Sequence, residues 1–297
     1  MFRGCFVAIV TPFRDGSIDF PALENLVNFI VDGGVNGLVP CGTTGESPTL
    51  DDDEHAAVVA AVVKYSRGRA PVVAGCGTNC TRKTIKLSQN AIQAGADGVM
   101  LVSPYYNKPN QTGLYQHFSA VASRIDVPIM LYNIPGRTGV EISVDTIARL
   151  HGDHSNIEAV KHATANVDGA SQLAAISDIT ILAGDDTLTL PLMSIGAVGV
   201  VSVLGNLMPR EMCEMVNAAM NDDFETAGKW HSKLFPLARD LLTLDINPIP
   251  IKTALAMKGL VAEEFRLPMC PLDPAKKMRL QTMISGIQCQ APEKQPA

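Results

Sequence analysis

Eight short apolar runs recur along the chain at intervals of about 28 residues, close to the shortest length that holds a strand and a crossover helix. They cover Cys5–Val10, Gly37–Pro40, Pro71–Ala74, Gly98–Val102, Pro128–Tyr132, Ile157–Val160, Ile179–Ala183 and Val198–Val203. The runs are almost continuously apolar rather than alternating, which is typical of parallel strands covered by helices. The spacing therefore predicts eight successive strand–helix units.

Most intervals between the runs hold an amphipathic helical pattern. Examples are Pro21–Val31, Asp53–Tyr65, Thr81–Ala94 and Leu114–Ser123. A faint repeat precedes three strands, in which Gly34, Gly95 and Gly196 are each followed by a second glycine three positions later. The first glycine of each pair can end a helix in the left-handed conformation. Eight units in about 220 residues predict a (β/α)8 TIM barrel, while a doubly wound sheet, which usually has six strands, is the alternative.

Strand patterns stop after about residue 222, and only helical patterns follow. These cover Phe224–Leu244, Ile249–Lys258 and Asp273–Ser285, and the last ten residues form a polar, proline-bearing stretch that is typical of a loose tail. We therefore predict a catalytic barrel over residues 1–222, followed by a C-terminal helical domain over residues 223–297.

Composition narrows the class of protein. Apolar residues make up 46% and charged residues 18% of the chain, which is typical of a folded chain with a large core. The net charge is -6 and no lysine- or arginine-rich run occurs, so nucleic acid is not an expected partner. The uncharged stretch 187–209 is long enough to span a membrane, but proline and glycine interrupt it, so a short helix and a buried strand are expected instead.

The seven cysteines form no CxxC pair, and no export signal precedes the first strand. Reduced thiols and a cytoplasmic location are therefore expected. His151 and His154 have no third ligand at metal spacing and indicate a solvated loop, so no metal site is expected. Dinucleotide, phosphate-loop and serine-nucleophile motifs are also missing. What remains is carbonyl chemistry without a cofactor.

In a TIM barrel the active site lies at the carboxyl ends of the strands, so the residues that follow the apolar runs are the candidates. Five of these segments are rich in polar side chains: Cys41–Glu46, Ser103–Asn107, Tyr132–Gly139, Lys161–Thr164 and Gly184–Asp186. Hydroxyls, phenols, one lysine and one arginine are therefore expected to converge at one end of the barrel.

Lys161 directly follows a buried strand. Partial desolvation disfavours the ammonium form and favours the neutral amine that a nucleophile needs. The alternative is a strand-end lysine that extends to water or pairs with a carboxylate such as Asp185. Tyr132, one strand earlier, can donate and accept protons, or it can simply be an amphipathic residue that ends the strand.

Thr43 and Thr44 lie in a Gly-Thr-Thr-Gly turn, where hydroxyls and backbone N–H groups can hold a small carboxylate. The alternative is a tight turn with no binding role. Arg137 can capture a carboxylate with two hydrogen bonds, or it can be an exposed loop charge. Both alternatives stay open at this point.

At these positions the chain resembles the dihydrodipicolinate synthase (4-hydroxy-tetrahydrodipicolinate synthase) family of the class I pyruvate-dependent aldolase superfamily. The matching motifs, in chain order, are Gly42–Glu46, Pro104–Asn107, Gly113–Phe118, Tyr132–Pro135, Arg137–Gly139 and Gly184–Asp186. The resemblance implies that Lys161 forms a Schiff base with pyruvate and that Tyr132 donates and accepts protons. It also implies that Thr43 and Tyr106 complete a proton relay, with Tyr106 supplied by the neighbouring subunit of a dimer that usually pairs into a homotetramer.

The resemblance further implies that Thr44 and the backbone near Val201 hold the pyruvate carboxylate, and that Arg137 receives the carboxylate of L-aspartate 4-semialdehyde. The implied reaction is an aldol addition followed by ring closure, in lysine and diaminopimelate biosynthesis. Relatives that act on other 2-keto acids, such as N-acetylneuraminate lyase, share the lysine and the tyrosine. The alternative function is therefore a related class I aldolase.

Two departures from the family pattern stand out. His162 follows the lysine where the family commonly has glutamate, and its side chain should point away from the barrel interior. The lysine-effector site of feedback-regulated relatives is matched by four residues: Ser47, His55, Asn79 and Tyr105. However, Lys83 stands in place of a glutamate and Asp52 in place of a histidine. A cation at position 83 repels the effector's ammonium group, so inhibition by lysine is expected to be weak or absent.

Overall fold

A computed structural model describes residues 1–285. Its strands are β1 (Gly4–Ala8), β2 (Phe13–Arg14), β3 (Ser17–Ile18), β4 (Gly37–Val39), β5 (Val73–Gly75), β6 (Gly98–Val102), β7 (Ile129–Asn133), β8 (Ile157–His162), β9 (Thr180–Ala183) and β10 (Gly199–Ser202). Strands β2 and β3 form a small hairpin, and the other eight form one sheet in the order β4-β1-β10-β9-β8-β7-β6-β5. A parallel bridge between Leu38 and Val72 joins the two edges of this sheet. The predicted (β/α)8 barrel is confirmed.

Helices lie between the barrel strands and beyond them. They are α1 (Phe20–Asp32), α2 (Asp52–Ser66), α3 (Thr81–Gln93), α4 (Gln111–Ala122), α5 (Pro135–Thr138), α6 (Val144–Asp153), α7 (Val167–Ile176), α8 (Thr189–Met193), α9 (Pro209–Met220), α10 (Phe224–Thr243), α11 (Ile249–Met257) and α12 (Pro274–Ser285). Every strand and helix predicted from the sequence is present, with ends shifted by three residues or fewer.

Two apolar layers explain why the strands are apolar on both faces. One layer fills the barrel and includes Phe6, Val73, Met130 and Val201, while the other lies between the strands and the surrounding helices. Gly37 is required in the inner layer, because a Cβ atom there would lie 2.1 Å from Cε1 of Phe6. The barrel interior is therefore a packed core that supports the side chains at its open end.

The glycines before three strands adopt the expected conformation. The φ angles are +88° at Gly34, +94° at Gly95 and +111° at Gly196, a region that residues with a side chain rarely adopt. Each of these glycines follows a helix and turns the chain toward the next strand. The repeat seen in the sequence is thus a repeated helix-to-strand turn.

The uncharged stretch 187–209 contains the short helix α8 and the buried strand β10, as expected. Within residues 1–285, no helix combines the length and the apolar character needed to cross a bilayer. Apolar side chains of α10, α11 and α12, such as Leu237, Ile251 and Leu280, belong to the outer core layer. The domain boundary near residue 222 stays a prediction, and the expected loose tail lies outside the described residues.

The loop interpretation of His151 is wrong. His151 lies in the last turn of α6, and its ring nitrogens contact the backbone oxygen of Ile157 at 2.6 Å and Oδ1 of Asp178 at 3.0 Å. Among the described residues, no three His, Cys, Asp or Glu side chains form a group suited to a metal ion. The six cysteines in this part of the chain are unpaired.

Candidate active site

Lys161 and Tyr132 lie side by side at the carboxyl ends of neighbouring strands. Strand β8 pairs with β7 so that the two residues are partners in the register. The Lys161 Nζ lies 4.2 Å from the centroid of the Tyr132 ring, and the two residues are only 3% and 4% exposed. The sheet register therefore places a buried amine against a buried phenol.

The surface alternative for Lys161 is excluded by this burial. Within residues 1–285, no carboxylate oxygen lies within 4.0 Å of the Lys161 Nζ, so the side chain forms no ion pair there. Asp185 is nonetheless close enough to feel its charge. Burial raises the pKa of Asp185, while attraction to Lys161 and His162 acts in the opposite direction. The Lys161 Nζ instead lies over the Tyr132 ring.

The Gly-Thr-Thr-Gly turn follows β4 and lies against the next strand. Gly75 allows this approach, because a Cβ atom there would lie 2.4 Å from the backbone oxygen of Cys41. Thr43 is half-buried and Thr44 is buried. The Thr44 Oγ1 accepts a hydrogen bond of 3.0 Å from Nδ2 of Asn247. The turn therefore presents a fixed hydroxyl at the open end of the barrel.

Arg137 lies in α5, directly after β7, and its side chain is exposed at the same end. Its Nη2 donates a hydrogen bond of 2.8 Å to the backbone oxygen of Asn247. Partial desolvation among its neighbours lowers the pKa of the guanidinium, and the nearby Tyr132 acts in the opposite direction. Arg137 is therefore held in place rather than free in a loop.

The last two predicted site residues, Val201 and Tyr106, lie in different surroundings. Val201 lies on β10, is fully buried, and belongs to the same interior cluster as Tyr132. Tyr106 is 90% exposed and has a φ of +72°, an uncommon value for a bulky side chain. One chain therefore brings together Lys161, Tyr132 and Val201, but it leaves Tyr106 outside the barrel.

A cavity of about 400 Å³ extends from the end of the barrel along the turn after β4. Its lining includes Thr43 and Arg137 but neither Lys161 nor Tyr132. It also includes residues of the predicted effector site: Ser47, Asp52, His55, Lys83 and Tyr105. Asn79 does not line this cavity, and its backbone oxygen accepts a hydrogen bond of 2.9 Å from Nδ2 of Asn107. The Lys83 Nζ lies 3.6 Å from Oδ1 of Asp52. The two residues that differ from the family's effector site therefore form an ion pair with each other.

His162 faces the start of α7. Its Nε2 lies 2.8 Å from the backbone oxygen of Asn166 and 2.8 Å from Oγ1 of Thr164. Asn166 caps α7, which packs on the outer face of the sheet. The expectation that this side chain points away from the interior is confirmed.

Sequence reasoning did not predict that Asn247 and Lys252 contact the site. It included Glu46 in the turn motif but did not predict its buried ion pair. Asn247 contacts Thr44 and Arg137, which lie 203 and 110 positions away in the chain. Lys252 Nζ donates a hydrogen bond of 2.6 Å to Oε1 of Glu46, 206 positions away. Local periodicity predicted a helix at Lys252 and no element at Asn247, and it indicated neither contact, because such contacts join separate segments.

The fold and the position of the site define a (β/α)8-barrel enzyme whose candidate site lies at the carboxyl ends of the strands. The profile of the dihydrodipicolinate synthetase family matches residues 1–287. Over 288 residues, the chain is 48% identical to the 4-hydroxy-tetrahydrodipicolinate synthase of Pelobacter propionicus, covering 96% of this chain and 99% of that relative. This chain therefore belongs to the dihydrodipicolinate synthetase family.

Solved structures agree with this membership. The crystal structure of dihydrodipicolinate synthase from Aquifex aeolicus has a TM-score of 0.94 and 46% identity, and the match covers 96% of this chain and 97% of that chain. The dihydrodipicolinate synthase from Acinetobacter baumannii, solved in complex with pyruvate, has a TM-score of 0.93 and 40% identity, covering 96% and 98%.

Proposed function

We propose that this enzyme condenses pyruvate with L-aspartate 4-semialdehyde to give 4-hydroxy-tetrahydrodipicolinate, through a Schiff base at Lys161. The observation that carries the proposal is the buried Lys161 amine, 4.2 Å from the Tyr132 ring at the carboxyl ends of two paired strands. Membership of the family and the named activity of its relatives support the same reaction. The proposed chemistry needs no metal or organic cofactor.

The first half of the proposed reaction joins pyruvate to the enzyme. The Lys161 nitrogen adds to the keto carbon of pyruvate, and the keto oxygen leaves as water after two proton transfers, giving a protonated imine. Tyr132 moves these protons, with Thr43 and a partner's tyrosine as the rest of the relay. Thr44 and the backbone near Val201 hold the pyruvate carboxylate.

The second half forms the new bonds. Loss of a proton from the pyruvate methyl group gives an enamine, because the protonated imine accepts the electron pair. The enamine carbon attacks the aldehyde carbon, and the aldehyde oxygen becomes a hydroxyl. The amino nitrogen of the second substrate then adds to the imine carbon, the bond to Lys161 breaks, and a ring is released. Arg137 binds the carboxylate of the second substrate throughout.

We further propose that the enzyme works as a homotetramer built from two dimers, in the cytoplasm. The exposed Tyr106, with its unusual backbone angle, supports the dimer. Bulky residues in uncommon backbone conformations cluster at functional sites, and the family resemblance implies that the neighbouring subunit supplies the second phenol of the relay. In the dimer, Tyr106 of each subunit completes the site of the other.

Trapping with borohydride tests the central step. Pyruvate and sodium borohydride are added to the whole enzyme, and digestion followed by mass spectrometry locates the modified lysine. We expect one pyruvate-derived group on Lys161 and loss of condensation activity in the same sample. The variant Lys161→Arg should not be labelled, since a guanidinium does not form the imine.

Lys83→Met is the matched control, because Lys83 lines the same cavity as Thr43 and Arg137 but has no part in the proposed chemistry. It should be labelled on Lys161 as efficiently as the unchanged enzyme. A label on a different lysine, or none, rules out the mechanism. Comparing turnover of pyruvate plus aspartate semialdehyde with cleavage of N-acetylneuraminate separates the proposed substrate from the alternative one.

A further inference from the structure

We propose that Asn247, in the segment between α10 and α11, is a positioning residue that orients both carboxylate-binding side chains of the site. Its side-chain amide donates to Thr44, and its backbone oxygen accepts from Arg137. This inference rests on the proposed function, in which Thr44 holds pyruvate and Arg137 holds the aldehyde substrate. One residue from the C-terminal segment thus connects the two substrate positions.

The hydrogen bond from Asn247 leaves the Thr44 hydroxyl able to act as a hydrogen-bond donor. A hydroxyl has one proton to donate and two lone pairs that accept. Thr44 Oγ1 accepts from Nδ2 of Asn247 at 3.0 Å and makes no other hydrogen bond within residues 1–285. Its own proton is therefore free to be donated, and a carboxylate is an acceptor that gives a strong bond. Asn247 in this way sets Thr44 as a donor to the keto acid.

The side chain of Asn247 is not explained by the stability of the fold. Its Oδ1 is buried and has no hydrogen-bond partner in the part of the chain that the structure describes. An unpaired buried acceptor costs about 1–3 kcal/mol, so an apolar residue of similar size would be less costly to bury. Buried groups of this kind need another reason to be present, and the contact with Thr44 supplies one.

The segment that carries Asn247 is held on both sides. Before it, Asp245 Oδ2 accepts a hydrogen bond of 2.5 Å from Nζ of Lys276 in α12. After it, Lys252 of α11 forms the buried ion pair with Glu46, at the end of the same turn that contains Thr44. Because both ends are anchored, the amide of Asn247 stays within reach of the turn.

Substitution of Asn247 with alanine tests the role of the amide, since the backbone oxygen that holds Arg137 remains. We expect Asn247→Ala to lower kcat/KM for pyruvate by about five- to tenfold, the effect of one lost hydrogen bond. The value of kcat/KM for the aldehyde should fall less. Asn247→Asp should lower kcat/KM for pyruvate further. Its carboxylate accepts a hydrogen bond from the Thr44 hydroxyl in place of pyruvate, and it repels the pyruvate carboxylate. The pyruvate concentration needed for half-maximal borohydride labelling should rise in parallel.

A double-mutant comparison separates this role from a general loosening of the segment. If Asn247 acts through Thr44, the alanine substitution has no added effect in the Thr44→Val background. The matched control is Ile246→Ala, which shortens the exposed side chain next to Asn247 and leaves its amide and both anchors in place. Urea unfolding of each variant checks that it is folded.

Three results overturn the inference: an unchanged kcat/KM for pyruvate in Asn247→Ala, an equal loss in the Thr44→Val background, or an equal loss in Ile246→Ala. These results are distinct from failure of the proposed function. If pyruvate and borohydride do not label the unchanged enzyme at Lys161, the Schiff-base mechanism is wrong. If the unchanged enzyme is labelled and the Asn247 variants behave like it, only the role of Asn247 is wrong.

Discussion

His117 in α4 is buried in a way that links protein stability to pH. The ring is 6% exposed, its Nδ1 lies 2.9 Å from Oγ1 of Thr81, and its Nε2 has no partner within residues 1–285. Burial lowers the pKa of His117 to about 4, from an ordinary value of 6.5. The folded protein therefore holds the ring neutral, while the unfolded chain binds a proton below about pH 6.5.

Above about pH 6.5 the ring is neutral in both the folded and the unfolded state, so its burial costs no stability. As the pH falls toward 4, only the unfolded chain gains the proton, and the folded state loses stability. Between pH 7.5 and pH 5 we expect the free energy of unfolding to fall by about 2 kcal/mol through His117. His117→Gln removes the titrating ring, so its loss over the same range should be smaller by that amount. Urea unfolding at the two pH values measures the difference, and an equal loss in both proteins contradicts the prediction.

Lys83 gives a prediction about regulation. Its ammonium group lies at the cavity beside Asp52, and it repels the ammonium groups of free lysine. We expect millimolar lysine to leave the rate nearly unchanged, whereas Lys83→Glu should make the enzyme more sensitive. A steady-state assay with increasing lysine measures this.

The control for this prediction is Lys86→Glu. Lys86 also pairs with Asp52, at 2.8 Å, but it is not among the residues that line the cavity. Its substitution should leave the response to lysine unchanged. If sub-millimolar lysine halves the rate of the unchanged enzyme, the repulsion argument fails.

At the scale of elements, a buried ion pair between Lys252 and Glu46 joins helix α11 to the barrel. Lys252 and Glu46 are 0% and 1% exposed, and the Lys252 ammonium also lies 4.1 Å from the Phe13 ring centroid. Burial lowers the pKa of Lys252, and the nearby Glu46 acts in the opposite direction. The backbone N–H of Arg266 donates to the other Glu46 oxygen at 3.3 Å. This pair joins the C-terminal segment to the turn that carries Thr44.

Removal of one partner leaves the other charge buried. We expect Lys252→Met to lower the free energy of unfolding by about 3–5 kcal/mol. The double variant Glu46→Leu with Lys252→Met should recover much of this loss, since replacing both charges removes the unpaired one. Equilibrium unfolding in urea measures both effects.

The matched control is the exposed pair of Lys229 and Glu225 on α10, joined at 2.7 Å. Pairs in water contribute less than about 1 kcal/mol, so Lys229→Met should change stability little. Equal losses for Lys229→Met and Lys252→Met would show that burial of the Lys252 pair does not matter.

At the scale of the whole molecule, the position of Tyr106 predicts that sites are shared between subunits. Co-expression of Tyr106→Phe and Lys161→Ala chains allows mixed dimers to form. In a mixed dimer, Lys161 of one chain meets Tyr106 of the other, so one of the two sites is intact. Random pairing should then restore about a quarter of the activity of the unchanged enzyme.

Each variant expressed alone provides the baseline for this experiment. If Tyr106 acts within its own chain, the mixture contains no intact site and shows only the averaged activity of the two variants. Purification through two different tags isolates the mixed dimers and measures their activity directly.

The barrel could be predicted because its signals are local and repeated. Buried parallel strands need apolar residues on both faces, and helix ends need glycine in a left-handed conformation, as at Gly34 and Gly95. The same reasoning placed Lys161 and Tyr132 at strand ends, where a barrel presents its functional residues. Helix α6 was missed, although the Ser143 side chain caps it by accepting a hydrogen bond from the backbone N–H of Thr146. The loop interpretation rested on His151 and His154, which lie at the end of α6, after its apolar residues Ile147 and Leu150.

The sequence by itself determined the order of strands and helices, the closure expected of eight units, and the residues that stand at the open end. Only the tertiary structure decided which distant side chains hold those residues in place. Asn247 reaches Thr44 across 203 positions, and Lys252 reaches Glu46 across 206. The physical reason is that periodicity reports how one segment buries its own apolar face. Buried polar groups, by contrast, are satisfied by whichever segment folding brings beside them.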